Sequence, residues 1–220
     1  MLFVQFQQDI EMDGALPVVL RKLTIRGGCG LDSKCKLDAR SQVSSSCYRI
    51  RSGEWYTRLC LWTLNARWSL FSQHKLFVVG ANDRVRGSLT LSGLHLTNAY
   101  TYDNTLDMEE RGAAVQVQPN ATAEILQCVF SQNHAAGNLA AGGALDVRIG
   151  GFAYITDSHF TDNHADKAGG AIVASGVIEV RDGCTFNGNF QGTNFKLDND
   201  IYVVEGAVAI SATIAPPPQV

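Results

Sequence analysis

Phe130-Ser131-Gln132-Asn133-His134-Ala135 recurs as Phe160-Thr161-Asp162-Asn163-His164-Ala165, and in weaker form as Phe186-Asn187-Gly188-Asn189. Between these copies lie Gly142-Gly143-Ala144-Leu145 and Gly169-Gly170-Ala171-Ile172, preceded by the decayed copy Gly112-Ala113-Ala114-Val115. Two motifs interleave on one period, with coils of about 26–34 residues, and a repeat of that length is the mark of a stacked architecture. Ahead of each Phe, small or apolar residues fall at matching offsets: Ala123, Ile125, Cys128 and Phe130, then Ala153, Ile155, Ser158 and Phe160. Leu89, Leu91, Leu94 and Leu96 fit one coil earlier. Ile178, Val180, Cys184 and Phe186 fit one coil later with an extra residue near Gly183, which reads as a β-bulge. Alternation at period two marks strands, and a strand with one apolar face must stack on its equivalent in the next repeat to bury it. The chain is therefore expected to be all-β, a parallel solenoid.

The repeated residues have physical roles in such a coil. Identical positions in successive coils lie about 4.8 Å apart, so Phe130, Phe160 and Phe186 can stack, and the amides of Asn133, Asn163 and Asn189 can form a hydrogen-bonded ladder. Asn tolerates the left-handed backbone of a corner, and the pairs Gly142-Gly143 and Gly169-Gly170 admit the close chain approach that a tight corner needs.

Phe-x-x-Asn paired with Gly-Gly-Ala-Ile/Leu resembles the repeat of the polymorphic outer membrane proteins of chlamydiae, over about Leu89 to Val204 and more loosely over Ile10 to Asp38. The resemblance implies a right-handed parallel β-helix of pectin-lyase-like type, exposed on or released from the cell surface and used in adhesion or in wall or envelope architecture. It also implies partners of that setting: cell-wall or surface polysaccharide, or other surface proteins. The membrane-embedded C-terminal barrel of that family has no counterpart in this sequence.

Residues 43–73 break the pattern. They carry Trp55, Trp62 and Trp68 together with Cys47 and Cys60, without a sustained alternation, and a structureless loop of this length is uncommon in a compact domain. The segment has the form that an unspliced intron takes when translated: Val codons begin GT, and Leu70-Phe71-Ser72-Gln73 can be encoded by a pyrimidine-rich tract closing in CAG. Its removal joins Ser41-Gln42 to His74-Lys75-Leu76-Phe77. The expected organisation is one or more N-terminal coils over 1–42, an irregular insert over 43–73, the repeat domain over 74–214 and a Pro-rich linker or tail over 215–220.

Composition agrees with this class. A hydrophobic fraction of 45% supports a sizeable core, and 21 Gly against 5 Pro suits many short strands joined by tight turns. The 18 basic and 21 acidic residues form no blocks, so neither a nucleic-acid arm nor an anionic-membrane patch is expected. No stretch approaches the roughly 18 apolar residues that span a bilayer. The opening residues lack a basic n-region and a sustained apolar run, so a signal peptide is expected upstream of this fragment or not at all.

Cys29 and Cys35 are close enough to close a small disulfide loop, which would fit an oxidising compartment; two free thiols are the alternative. Cys128 and Cys184 share an inward slot two coils apart, beyond the roughly 7 Å that a disulfide bridges, and read as buried small hydrophobes. His134 and His164 should stack at one corner, with His159 nearby; a surface corner shared through repetition is the expected reading, and a metal ladder the alternative. No close pair of Cys or His has ligand spacing, so neither a metal nor any other cofactor is expected. Asn120-Ala121-Thr122 is a glycosylation sequon at a turn.

The rival to a scaffold is a polysaccharide lyase or glycosidase, which needs paired carboxylates about 5 to 9.5 Å apart or a set of calcium ligands in one groove. On the strands after each Gly-Gly corner, the outward slots hold Gln116 and Gln118, then Asp146 and Arg148, then Val173 and Ser175. One carboxylate cannot run either mechanism, so no catalytic residue is expected. A third class, a glycan-binding module, needs exposed aromatics at coil spacing, and Tyr100, Tyr102, Tyr154 and Tyr202 are not in register with one another.

Overall fold

The computed structural model describes residues 2–6, 10–11, 22–27, 35–38, 47–52, 55–60, 75–80, 86–103, 111–181, 183–193 and 197–204, with the side chains of some strand residues excepted. From Phe77 onward each coil visits four parallel sheets in turn. Sheet 1 stacks Phe77–Val79, Val115–Val117, Leu145–Val147, Ile172–Ala174 and Ile201–Val203. Sheet 2 stacks Leu2–Phe6, Lys22–Gly27, Ser88–Ser92, Thr122–Leu126, Phe152–Thr156 and Val177–Val180. Sheet 3 stacks Ile10–Glu11, Cys35–Asp38, Leu94–Thr97, Val129–Ser131, His159–Thr161 and Thr185–Asn187. Sheet 4 stacks Tyr100–Asp103, His134–Gly137, His164–Ala165 and Phe190–Gln191. Its last member pairs antiparallel with Leu197–Asp198. The expected all-β parallel solenoid is the fold.

Register follows the repeat. Ala123 pairs with Ala153 and Ile155 with Val180, while Phe130, Phe160 and Phe186 align in sheet 3. The inward slots named from the sequence are buried, Leu89, Leu91, Leu94, Leu96, Ile125 and Ile155 among them. Phe186, in the last coil, is only partly buried. The Phe rings stack at 4.8 and 5.1 Å between centroids, with interplanar angles of 3° and 8°. Cys128 and Cys184 are buried thiols, and Ser158 between them donates its hydroxyl to the Thr156 carbonyl.

The extra residue near Gly183 is not a bulge. Ile155 pairs with Val180 and His159 with Thr185, so the additional residue sits in the turn between two strands and leaves both ladders intact. Gly183 has a φ of 79°, and the same corner carries Gln127 and Asp157 at φ 52° and 48° in earlier coils.

The segment 43–73 falls between two coils that are in register with each other. Lys22 pairs with Ser88 and Asp38 with Thr97. Lys22 and Ser88 are 66 residues apart, against 34 from Ser88 to Thr122; without the 31 residues Val43–Gln73 the first spacing is 35. Among the described residues the segment adds no strand to the four sheets. Within it, Cys47–Ser52 and Trp55–Cys60 pair antiparallel as a separate hairpin, and the rest of the segment lies outside the described residues.

Candidate functional site

The corner between sheets 3 and 4 brings the repeat's polar residues together. Asn133, Asn163 and Asn189 are buried, and each amide is fully used. Asn133 Nδ2 donates to Asn163 Oδ1 at 2.9 Å and to the Leu96 carbonyl at 3.2 Å. Asn163 Nδ2 likewise donates to Asn189 Oδ1 at 2.9 Å and to the Phe130 carbonyl at 3.0 Å. Each Oδ1 also accepts the backbone N–H of the preceding coil, from Ala99, Asn133 and Asn163 in turn. The ladder ends on Asp200, whose Oδ1 accepts from Asn189 Nδ2. These residues brace the corner and present nothing to a ligand.

The left-handed residue is not the ladder Asn, as expected, but the one before it: Asn98, Gln132, Asp162 and Gly188, with φ of 58°, 55°, 54° and 63°. The bend comes one residue early because the Asn must point its amide inward along the stack. The Gly pairs divide the labour. Gly142 and Gly169 take φ of 68° and 63°, whereas a Cβ on Gly143 would meet the Gly170 and His164 carbonyls, and one on Gly170 the Phe190 backbone.

Outside the Asn ladder runs a second column on sheet 4: Tyr100, His134, His164 and Phe190, paired in register. Tyr100 meets His134 edge-on at 5.3 Å, and His134–His164 and His164–Phe190 stack at 4.1 and 4.3 Å. Because the ring faces are used on each other, the column offers little platform for a sugar ring. At its middle, His134 Nε2 and His164 Nε2 approach Asp166 Oδ1 at 3.1 and 3.4 Å. Asp166 Oδ2 accepts the Gly137 N–H at 2.8 Å, and His164 Nε2 also lies 2.9 Å from the Gly192 carbonyl. The His134–His164 stack was legible in the repeat; Asp166 was not, since it is singular in the sequence. His159 stands apart, its Nδ1 against Thr185 Oγ1.

The expected outward groove on sheet 1 is closed. Gln116, Asp146 and Val173 do point away from the main core, but all three are buried. The corner glycine of each coil receives the outward side chain of the next: Gly112 packs at Asp146 and Gly142 at Val173. Asp146 Oδ2 accepts from Arg148 Nε at 2.7 Å and Gln116 Nε2 at 3.1 Å, while Oδ1 has no partner among the described residues. Burial pushes the Asp146 carboxyl above the ordinary carboxylate range, against the opposing pull of Arg148, Gln116 and Arg111. Buried and held by Arg148 and Gln116, this carboxyl does not face a substrate groove.

On sheet 2, Glu124, Tyr154 and Glu179 share one outward row. The two carboxylates are two coil rises apart, about 9 to 10 Å, near the wide limit of an inverting pair. One of them would have to hold a proton near neutrality. The Arg181 hydrogen bond instead lowers Glu179 below the ordinary range, and Glu124 is exposed and accepts a hydrogen bond from Thr90. That row lacks the enclosed acid that glycoside cleavage requires.

Cys35 is disulfide-bonded, and Cys29 lies outside the described residues. Asn120, the acceptor of the sequon, is exposed at a turn with φ 59°, while Ala121 is buried and Thr122 half-buried. Among the described residues no helix is long and apolar enough to cross a membrane. Residues 157–175, spanning Phe160 to Asn163 and Gly169 to Ile172, match the model of the Chlamydia polymorphic membrane protein repeat. No curated protein and no solved structure matches the chain.

Proposed function

We propose that this chain, a β-solenoid whose residues 157–175 match the Chlamydia polymorphic membrane protein repeat, is a non-enzymatic cell-surface or secreted scaffold, used in adhesion or in wall or envelope architecture. The observation that supports this most directly is where the repeat spends its chemistry. Phe160, Asn163, Gly169 and Gly170 all lie within the matched stretch, and each serves the stacking of coils: a ring in the Phe column, an amide in the ladder, two glycines at the corner. A repeat selected for stacking builds length and surface. Its partners would be surface polysaccharides or other surface proteins, met by the exposed coil faces, where Tyr102, Leu126, Phe152 and Tyr202 are exposed.

The test is localisation with the native gene product. Antibody raised against the purified chain should label intact, unpermeabilised cells or detect the protein in the medium. Labelling confined to permeabilised cells would overturn the reading. A glycan array run beside a turnover assay on the same ligands separates a binder from an enzyme, and binding without cleavage is the expected result.

A further inference from the structure

We propose that His134, His164 and Asp166 form a site for a divalent transition-metal ion of borderline softness, such as zinc, that ties one coil to the next. The three ligand atoms all lie within 4.8 Å of one another, and the residues come from two successive coils. Two of the three edges, those from each imidazole to the carboxylate, already have the length of a coordination shell. Bonds of about 2.0 to 2.1 Å in a tetrahedron require ligand–ligand edges of about 3.3 Å. His134 Nε2 and His164 Nε2 stand 3.1 and 3.4 Å from Asp166 Oδ1.

The surroundings favour a bound ion over an adventitious contact. The Gly137 N–H holds Asp166 Oδ2, which fixes the carboxylate and leaves Oδ1 directed at the two imidazoles, the kind of support that metal ligands receive from their outer neighbours. The stack between Tyr100 and Phe190 confines both rings to one column, which limits the side-chain freedom that binding has to remove. Side-chain exposures of 33%, 17% and 14% leave an entry path and room for a water as fourth ligand. Two imidazoles and one carboxylate with an open position suit zinc and its neighbours rather than calcium or magnesium, which take all-oxygen sets. Binding requires both Nε2 atoms deprotonated, so His164 gives up its 2.9 Å contact with the Gly192 carbonyl, and the two rings, now 22° from parallel, turn their nitrogens together.

The test uses the chelator-stripped full chain titrated with zinc chloride, by calorimetry and by thermal melting. One ion per chain and a raised melting temperature are expected. His164→Phe and His134→Phe remove a ligand while keeping the ring column, since Phe190 and Tyr100 already occupy that column in neighbouring coils. Each should melt like the metal-free wild type and bind zinc at least tenfold more weakly, as should Asp166→Asn; His159→Ala should bind as wild type. Absence of zinc binding by the wild type overturns the proposal. So does undiminished binding by folded His164→Phe and His134→Phe. If neither Phe variant folds, Asp166→Asn decides alone, and undiminished binding there is equally fatal.

Discussion

Phe160 carries the clearest residue-scale prediction. It is the middle ring of the stack and fully buried, so Phe160→Ala should cost about 3 to 5 kcal/mol in urea denaturation; a loss under about 1 kcal/mol would put the ring outside the core. Asn163→Ala should exceed Asp162→Ala, because it strips partners from the Asn133 side chain, the Asn133 backbone N–H and the Phe130 carbonyl at once, about 2 to 4 kcal/mol. Asp162 is exposed but left-handed, and Asp162→Gly, which copies Gly188 one coil on, should be neutral or stabilising by up to about 1 kcal/mol. Equal costs for the two alanine variants would remove the ladder from the energetics. Asp146 supplies a pH signature. Its native acid holds the proton more tightly than in the unfolded chain, so its contribution is most favourable below the unfolded pKa and declines as pH rises from there toward the native value. The stability of Asp146→Asn relative to wild type should therefore improve as pH rises above about 4, and a difference constant with pH would show that the buried charge carries no net cost.

At the scale of the element, the corner between sheets 4 and 1 is where the chain comes closest to itself. Gly143→Ala pushes a methyl into two backbone carbonyls, Gly170 and His164, which cannot swing away as a side chain could. A loss of about 2 to 3 kcal/mol is expected in denaturant titration, and a cost below about 0.5 kcal/mol would mean the corner yields freely. The strands themselves were readable because period-two alternation reports directly which side of a pleat is apolar. Ala123, Ile125, Phe130 and their copies sit where the alternation put them, Phe186 in the last coil being only partly buried. Corners were harder. The left-handed residue lies one position ahead of the repeated Asn, and the insertion at Gly183 lies in a turn, because turn geometry depends on where the next coil's carbonyls are and leaves only a faint trace in residue type.

For the whole molecule, deletion of Val43 to Gln73 should leave the solenoid folded or raise its melting temperature, since the flanking coils already pair and the remaining 35-residue spacing is close to a normal coil. Collapse on deletion would show that the segment is needed structure, and cDNA sequencing that retains its codons would remove the intron reading. The same deleted chain should not cleave pectate, polygalacturonate or related glycans, with or without calcium. Activity abolished by Glu124→Gln or Glu179→Gln would overturn the scaffold reading. By itself the sequence determined the coil period, the inward faces, the Phe and Asn ladders and the family likeness, because each is a repeated pattern and repetition survives being read in one dimension. Tertiary structure alone decided that Asp146 is sealed, that Asp166 joins two stacked histidines and that Glu124 and Glu179 share a row. Those facts depend on which single, unrepeated residue of one coil lies over another, and that is set by packing between coils rather than by the pattern within one.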